Sequence, residues 1–236
     1  MAIPLYLAMT AAEFSSCGSL PRYPAWMSCR FSPSGKGLCN LPSVLPEGTL
    51  LILDDQTPPE GHEAALIHRQ LTAVLESNRC AGLLLDFQRP DNKETAEIVN
   101  ALQSLPCPVC VSHLYAKDLP CPVFAPPCPL TVPLKEHLAP WEGREIWLEA
   151  ALDRAAYRIT EAGCLIRSSS PETPLPFHDD ALFCHYGIHT AEDHILFTLE
   201  RTRKDLEPLL EAAGSCVTRA VGLFQELHPS TQKPLT

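Results

Sequence analysis

The sequence predicts an α/β protein: a compact, irregular (β/α)8 TIM-like barrel with an antiparallel β insertion between its seventh and eighth strands. Three observations carry this reading. Eight short apolar runs are spread along the chain, most of them bounded by Pro, Gly or Asp. Three clear helical patterns are each followed by one of these runs, the alternation of βα units that builds a parallel sheet. The segment Ala81-Gly82-Leu83-Leu84-Leu85-Asp86-Phe87 leaves no polar face before its end, the habit of a strand covered on both sides. An open doubly wound sheet is the alternative fold.

The elements follow in order. Ile3–Met9 reads as the first strand: the N-terminus has no positive region, and Pro4 breaks its apolar stretch, so a signal peptide is disfavoured. Ala25–Phe31 and Thr49–Leu53 are the second and third strands. A helix over His62–Ser77 carries Ala65, Leu66, Gln70, Leu71, Val74 and Leu75 as a stripe. After the fourth strand, Ala81–Phe87, a helix over Lys93–Leu105 is stopped by Pro106. Pro108–Ser112, Pro122–Ala125 and Glu145–Ala150 are strands five to seven. Residues 106–141 are dense in proline, which forbids long helices, so the outer helices there are expected to shrink to turns.

The insertion spans about 155–199. Tyr157–Arg167 reads as a hairpin turning at Glu161-Ala162-Gly163, and Phe183–Leu199 as another turning at Ala191-Glu192-Asp193. Ser168–Asp180, between them, reads as an exposed loop. A helix then opens on Thr202 and Asp205, a capping-box-like start, and Gly214 closes it before the last strand, Thr218–Phe224. The whole, 1–236, reads as one domain, a little below the roughly 250 residues typical of such barrels.

Composition limits the partners. The net charge is −10 and no Lys/Arg-rich run exists, which speaks against nucleic acid and anionic membrane surfaces. No apolar run approaches a membrane span, and a cytoplasmic location is expected. Eleven cysteines at scattered spacing read as free thiols of a reducing compartment. Cys107-Pro108-Val109-Cys110 falls on a strand, where its thiols face opposite ways, rather than on a zinc knuckle or a redox helix start. Ser34-Gly35-Lys36-Gly37 lacks the spacing of a phosphate loop. His185 and His189 face the same way on a strand, with His178, Asp179 and Asp180 upstream, and read as a solvated hairpin rather than a metal site. No cofactor and no metal are expected.

In barrels, chemistry gathers at the C-terminal ends of the strands. Asp86 and Gln88 leave the fourth strand there on one side. Asp54 and Asp55 follow the third strand, Glu149 lies within or after the seventh, and Glu226 follows the eighth. Asp86, Glu149 and Glu226 are the catalytic candidates, since two carboxyls about 5–9 Å apart can hydrolyse a glycoside. Gln88, Asp54, Asp55, Trp141, Tyr115 and Gln225 are the candidate ligand contacts. Flat rings stack on sugar faces but also fill cores. Trp147 and Phe87 are assigned to the core, and Trp141, in a Pro/Gly loop, to the surface. The competing reading is that these carboxylates pair with Arg89, Arg144 or Arg219 as structural ion pairs.

Residues 81–88, A-G-L-L-L-D-F-Q, resemble the fourth-strand signature D-G-x-D-x-D-x-E of chitinase-like family-18 glycoside hydrolases. Gly82 and Asp86 match, while Ala81, Leu84 and Gln88 replace two Asp and the Glu. The insertion before the last strand is also similar to that family. The resemblance implies a barrel whose Glu position protonates the leaving oxygen, while the preceding Asp orients the substrate's acetamido group. Gln88 stands at the acid's position, and an amide has no proton to give. The expected outcome is a degenerate barrel that binds a carbohydrate or another small polar ligand. An active hydrolase using Asp86, Glu149 and Glu226, or a plain interaction scaffold, is the alternative.

Overall fold

Leucine-rich strands that must be covered on both faces find that cover by closing a ring inside a layer of helices and loops. The computed structural model describes residues 2–89, 93–117, 119–160, 163, 165–168, 174–190 and 194–228. Its strands are β1 (Leu5–Met9), β2 (Pro24–Phe31), β3 (Leu38–Cys39), β4 (Leu50–Asp54), β5 (Gly82–Asp86), β6 (Val109–Ser112), β7 (Val123–Ala125) and β8 (Ile146–Glu149). The insertion supplies β9 (Asp153–Thr160), β10 (Leu165–Ser168), β11 (Phe177–Asp179), β12 (Cys184–Thr190) and β13 (His194–Arg201), and β14 (Val217–Leu223) follows. The parallel order β1-β14-β8-β7-β6-β5-β4-β2 is closed by a further parallel pairing of β1 with β2. All eight expected runs are barrel strands. The short β3 hangs antiparallel on β2.

The period of two explains the unbroken leucines. Leu84 points into the barrel with Leu50, Ile52, Phe124, Trp147 and Val221. Leu83 and Leu85 point outward, where Ile67, Leu71 and Leu75 of α2 (Ala64–Asn78) and Ile98, Val99 and Leu102 of α3 (Lys93–Leu102) cover them. The two thiols of the C-x-x-C segment likewise separate: Cys110 lies inside the barrel, and Cys107 packs against the outer layer.

The helical layer is incomplete, as the prolines require. The β1–β2 connection holds α1 (Ala11–Ser16), and β7–β8 holds only α4 (Leu134–Leu138) and a 3₁₀ turn, Ala139–Trp141. The α3 helix stops at Leu102, before the expected Leu105, because its last residues turn through i,i+3 bonds such as Leu105 N to Leu102 O. The α5 helix (Arg203–Ala213) starts as expected. Asp205 accepts from both the backbone N and the Oγ1 of Thr202, at 2.7 Å each.

The insertion is one five-stranded antiparallel sheet, β10-β9-β13-β12-β11, rather than two separate hairpins. Pairing of β9 with β13 joins the halves along eight residues. The end of the expected loop 168–180 is the strand β11, held by three pairs on β12. The expected turns at 161–163 and 191–193 lie outside the described residues except for Gly163. No helix among the described residues is long and apolar enough to cross a membrane.

The barrel floor is filled by side chains. The Arg219 guanidinium lies 4.4 Å from the Trp147 ring centroid and donates to the Ala81 carbonyl at 3.0 Å. The Trp147 indole N–H donates to Glu145 at 3.1 Å. Gly82 leaves the room this needs: a Cβ there would meet the Pro108 carbonyl at 2.9 Å, Trp147 at 3.1 Å and Arg219 at 3.2 Å. Gly82→Ala is therefore expected to lose about 1–3 kcal/mol of stability by overpacking. Urea denaturation would measure it, and an unchanged midpoint would contradict this account of the floor.

Candidate functional site

The inward rows that carry isoleucine, leucine and tryptophan lower in the barrel carry carboxylates at its C-terminal end. Ile52 is followed two residues on by Asp54, Leu84 by Asp86 and Trp147 by Glu149. Asp54 and Asp86 are register partners on β4 and β5. Glu226 arrives differently, on the short helix α6 (Phe224–Leu227) directly after β14. A Cβ at Gly222 would overlap Leu227 and the Ala150 carbonyl. Glycine there lets α6 fold back over the strand end and bring Glu226 to the rim, where it accepts from Leu152 N at 3.4 Å.

These four carboxylates and Gln56 form the polar rim of a cavity of about 130 Å³. Ala8, Met27, Ile52, Leu84, Phe124 and Val221 form its apolar bottom. Liquid water occupies about 30 Å³ per molecule, so the hollow holds a few waters or one small group, and a larger ligand must lie across the mouth. Among the described residues, no Lys or Arg lines the cavity.

Burial, reinforced by neighbouring charges, shifts the protonation of the rim. Burial pushes the Glu149 carboxyl up to about 7, and the charges of Asp86 and Glu226 add to the effect. Burial also raises Asp86, helped by Asp54 and Asp55 and opposed by the hydrogen bond from Gln88. Asp54 is set apart by an ion pair with Arg30 at 3.2 Å and accepts from Gln56 N at 3.0 Å. A carboxylic acid that keeps its proton near neutral pH, beside other carboxyls, is the arrangement that general acid catalysis needs.

Gln88 donates its side-chain amide to Asp86 Oδ1 at 2.5 Å. Asp55 holds this loop in place: its two oxygens accept from Gln88 N at 3.0 Å and Arg89 N at 2.8 Å. Arg89 returns the contact, donating to the carbonyls of Asp55 and Gln56.

The sequence-derived candidates thus divide. Asp86, Glu149, Glu226 and Asp54 come together around one cavity, with Gln88 bonded to Asp86. Asp55 does not reach it, because its buried carboxylate is used by backbone N–H groups. Tyr115 is buried outside the barrel, its ring on Phe87 and its hydroxyl on the Arg89 carbonyl. Trp141 is half-buried between His113 and His137 rather than exposed, because its 3₁₀ turn lays the ring on the outer core. Gln225 is exposed and outside the cavity lining. Gln56 is the rim residue that sequence reasoning missed; its place two residues after Asp54 was the available signal.

The three expected arginines are employed elsewhere. Arg144 donates to the carbonyls of Ala116, Leu119 and Cys121, and Arg219 serves the floor. Larger hollows exist, about 830 Å³ between α5 and the starts of β1 and β14, and about 520 Å³ between α4 and the end of α5. Neither gathers the inward ends of barrel strands.

No protein-family model matches the chain, and no curated protein matches it by sequence. In three dimensions it is similar to the spore cortex-lytic enzyme SleL of Bacillus megaterium QM B1551, with a TM-score of 0.53, and to SleL of Bacillus cereus, with a TM-score of 0.50. Each is 9% identical, and the match covers 93% of this chain and 70% of the other. The likeness is one of fold: a barrel of the type seen in those two enzymes.

The raised Glu149 carboxyl has a consequence for stability. Its unfolded value is near 4.5 and its folded value about 7. The proton bound more tightly in the folded state stabilises fully below about pH 4.5, and this contribution is lost as pH rises through about 7. Glu149→Gln cannot ionise and should gain stability relative to the native chain above pH 7. Denaturant midpoints of both chains on either side of that window measure it; parallel pH profiles would contradict the shift.

Proposed function

We propose that this chain is a glycoside-hydrolase-like barrel, one domain with a β insertion, that binds a carbohydrate or similar polar ligand without the family-18 type of acid. The observation that carries this reading is the Gln88–Asp86 hydrogen bond. At the acid's position in the resemblance, an amide donates to the neighbouring carboxylate and has no proton for a leaving oxygen. The rim supports a ligand rich in O–H and N–H donors, because ionised carboxylates only accept. Four carboxylates and, among the described residues, no lysine or arginine in the lining disfavour an anionic ligand. The fold likeness to two spore cortex-lytic enzymes supports the architecture and puts cortex-type saccharides among the ligands to try.

A second reading rests on one observation, the Glu149 carboxyl at about 7 beside Asp86 and Glu226. In that reading Glu149 is the general acid and Asp86 or Glu226 the second carboxylate of a rearranged hydrolase.

Calorimetry with N-acetylglucosamine oligosaccharides and a fluorogenic aryl-glycoside assay separate the two. The first reading expects saccharide binding without turnover, weakened about tenfold or more by Asp86→Ala, in line with the loss of a charged hydrogen bond. Neither binding nor turnover would refute both. Turnover by the native chain, removed by Glu149→Gln, would replace the first reading with the second. Turnover gained only in Gln88→Glu would mark the amide as the block to catalysis.

A further inference from the structure

On the insertion, two histidines and an aspartate converge where the sequence suggested a solvated hairpin. His178 of β11 and His185 of β12 are register partners, with ring centroids 4.9 Å apart. Both aim Nε2 at the same oxygen, Oδ1 of Asp205, at 3.0 and 3.6 Å. Asp205 lies in the first turn of α5, twenty residues after His185, and is only 4% exposed. Its other oxygen, Oδ2, takes both hydrogen bonds from Thr202, so the carboxylate is fixed with Oδ1 turned to the imidazoles.

The hydrogen-bond count at His178 leaves one contact to be bridged. Nδ1 faces Asp180 Oδ1 at 2.9 Å, and Nε2 faces Asp205 Oδ1 at 3.0 Å. A neutral imidazole has one N–H and can satisfy only one carboxylate. The other contact requires a cation between the two atoms, either a second ring proton or a metal ion. Carboxylate on Nδ1 with Nε2 directed at a metal is the usual support of a metal-bound histidine.

We propose that His178 Nε2, His185 Nε2 and Asp205 Oδ1 form a binding site for a divalent transition-metal ion of the zinc type. One ligand atom from each of the three residues lies within 4.8 Å of the others. Zinc bonds of about 2.0–2.2 Å at tetrahedral angles put donors about 3.3–3.6 Å apart, close to the 3.0 and 3.6 Å that separate the two imidazoles from Asp205 Oδ1. Two imidazoles and one carboxylate suit zinc and its first-row neighbours rather than calcium or magnesium. Three protein donors leave a fourth position for water. The ion would tie the β11–β12 hairpin to the start of α5, the helix that leads into the last barrel strand.

Titration of the full chain with Zn²⁺ by calorimetry, and with Co²⁺ by visible absorption, tests this. A Cys216→Ser background removes the one thiol that is exposed among the described residues. One equivalent should bind, with the d–d bands of a four-coordinate cobalt site and no thiolate charge-transfer band, and Zn²⁺ should raise the thermal midpoint. His178→Gln and His185→Gln should each weaken binding by about tenfold or more. His189→Gln, exposed on the same hairpin, should not. No binding in the micromolar range would mean that a second proton on His178 fills the gap, and would overturn the proposal. So would affinity unchanged in both histidine variants, or a thiolate signature.

Discussion

The stacking of Arg219 on Trp147 in the barrel floor is the contact on which the rest is built. A ring of eight short strands must fill its own interior with side chains. The Trp147 ring occupies the floor, the guanidinium covers it, and the Ala81 carbonyl holds the guanidinium in place. Gly82 is the complement of this packing, since any side chain would strike all three groups around it. With Trp147 and Arg219 at the bottom and Ile52, Leu84, Phe124 and Val221 filling the middle, the cavity lies at the C-terminal end. The strand period then decides which side chains face that opening.

Those side chains are carboxylates, and their environment separates their roles. Asp54 has Arg30 as a counter-ion, and Asp55 has two backbone N–H groups. Glu149 has no counter-ion among the cavity residues and answers burial by holding its proton. Asp86 lies between these cases, burial raising it and the Gln88 amide partly compensating. One cluster of like residues therefore offers an ion pair, a loop clamp and a protonated acid. The difference arises from partners rather than from residue type.

The insertion sheet is attached to the barrel through polar contacts as much as through apolar ones. Arg201, 2% exposed, donates to the carbonyls of Cys128, Leu182 and Phe183, joining the end of β13 to the loop after β7. Asp205 joins the β11–β12 hairpin to α5 from the other side. Both anchors sit at the ends of β13 and α5, so the insertion bears on the route into β14 and the rim residue beyond it.

The sequence by itself determined the strands, because burial on both faces leaves a local mark: runs such as Leu83-Leu84-Leu85, cut by Pro, Gly or Asp. It determined where α5 begins, since a capping box is spelled within four residues, Thr202 to Asp205. It also put Asp86 and Glu149 at strand ends, where a period of two sets their direction. Only the tertiary structure decided which side chains share a site. Tyr115 and Trp141 looked like sugar platforms by type and loop, yet three-dimensional packing turned both onto the outer core. Asp55 stands next to Asp54 in the chain and faces elsewhere, as adjacent residues at a strand end must. The approach of Asp205 to His178 and His185 had no local mark at all. Partnership across the fold depends on closure, register and the path of loops, and none of these is written in the spacing of neighbouring residues.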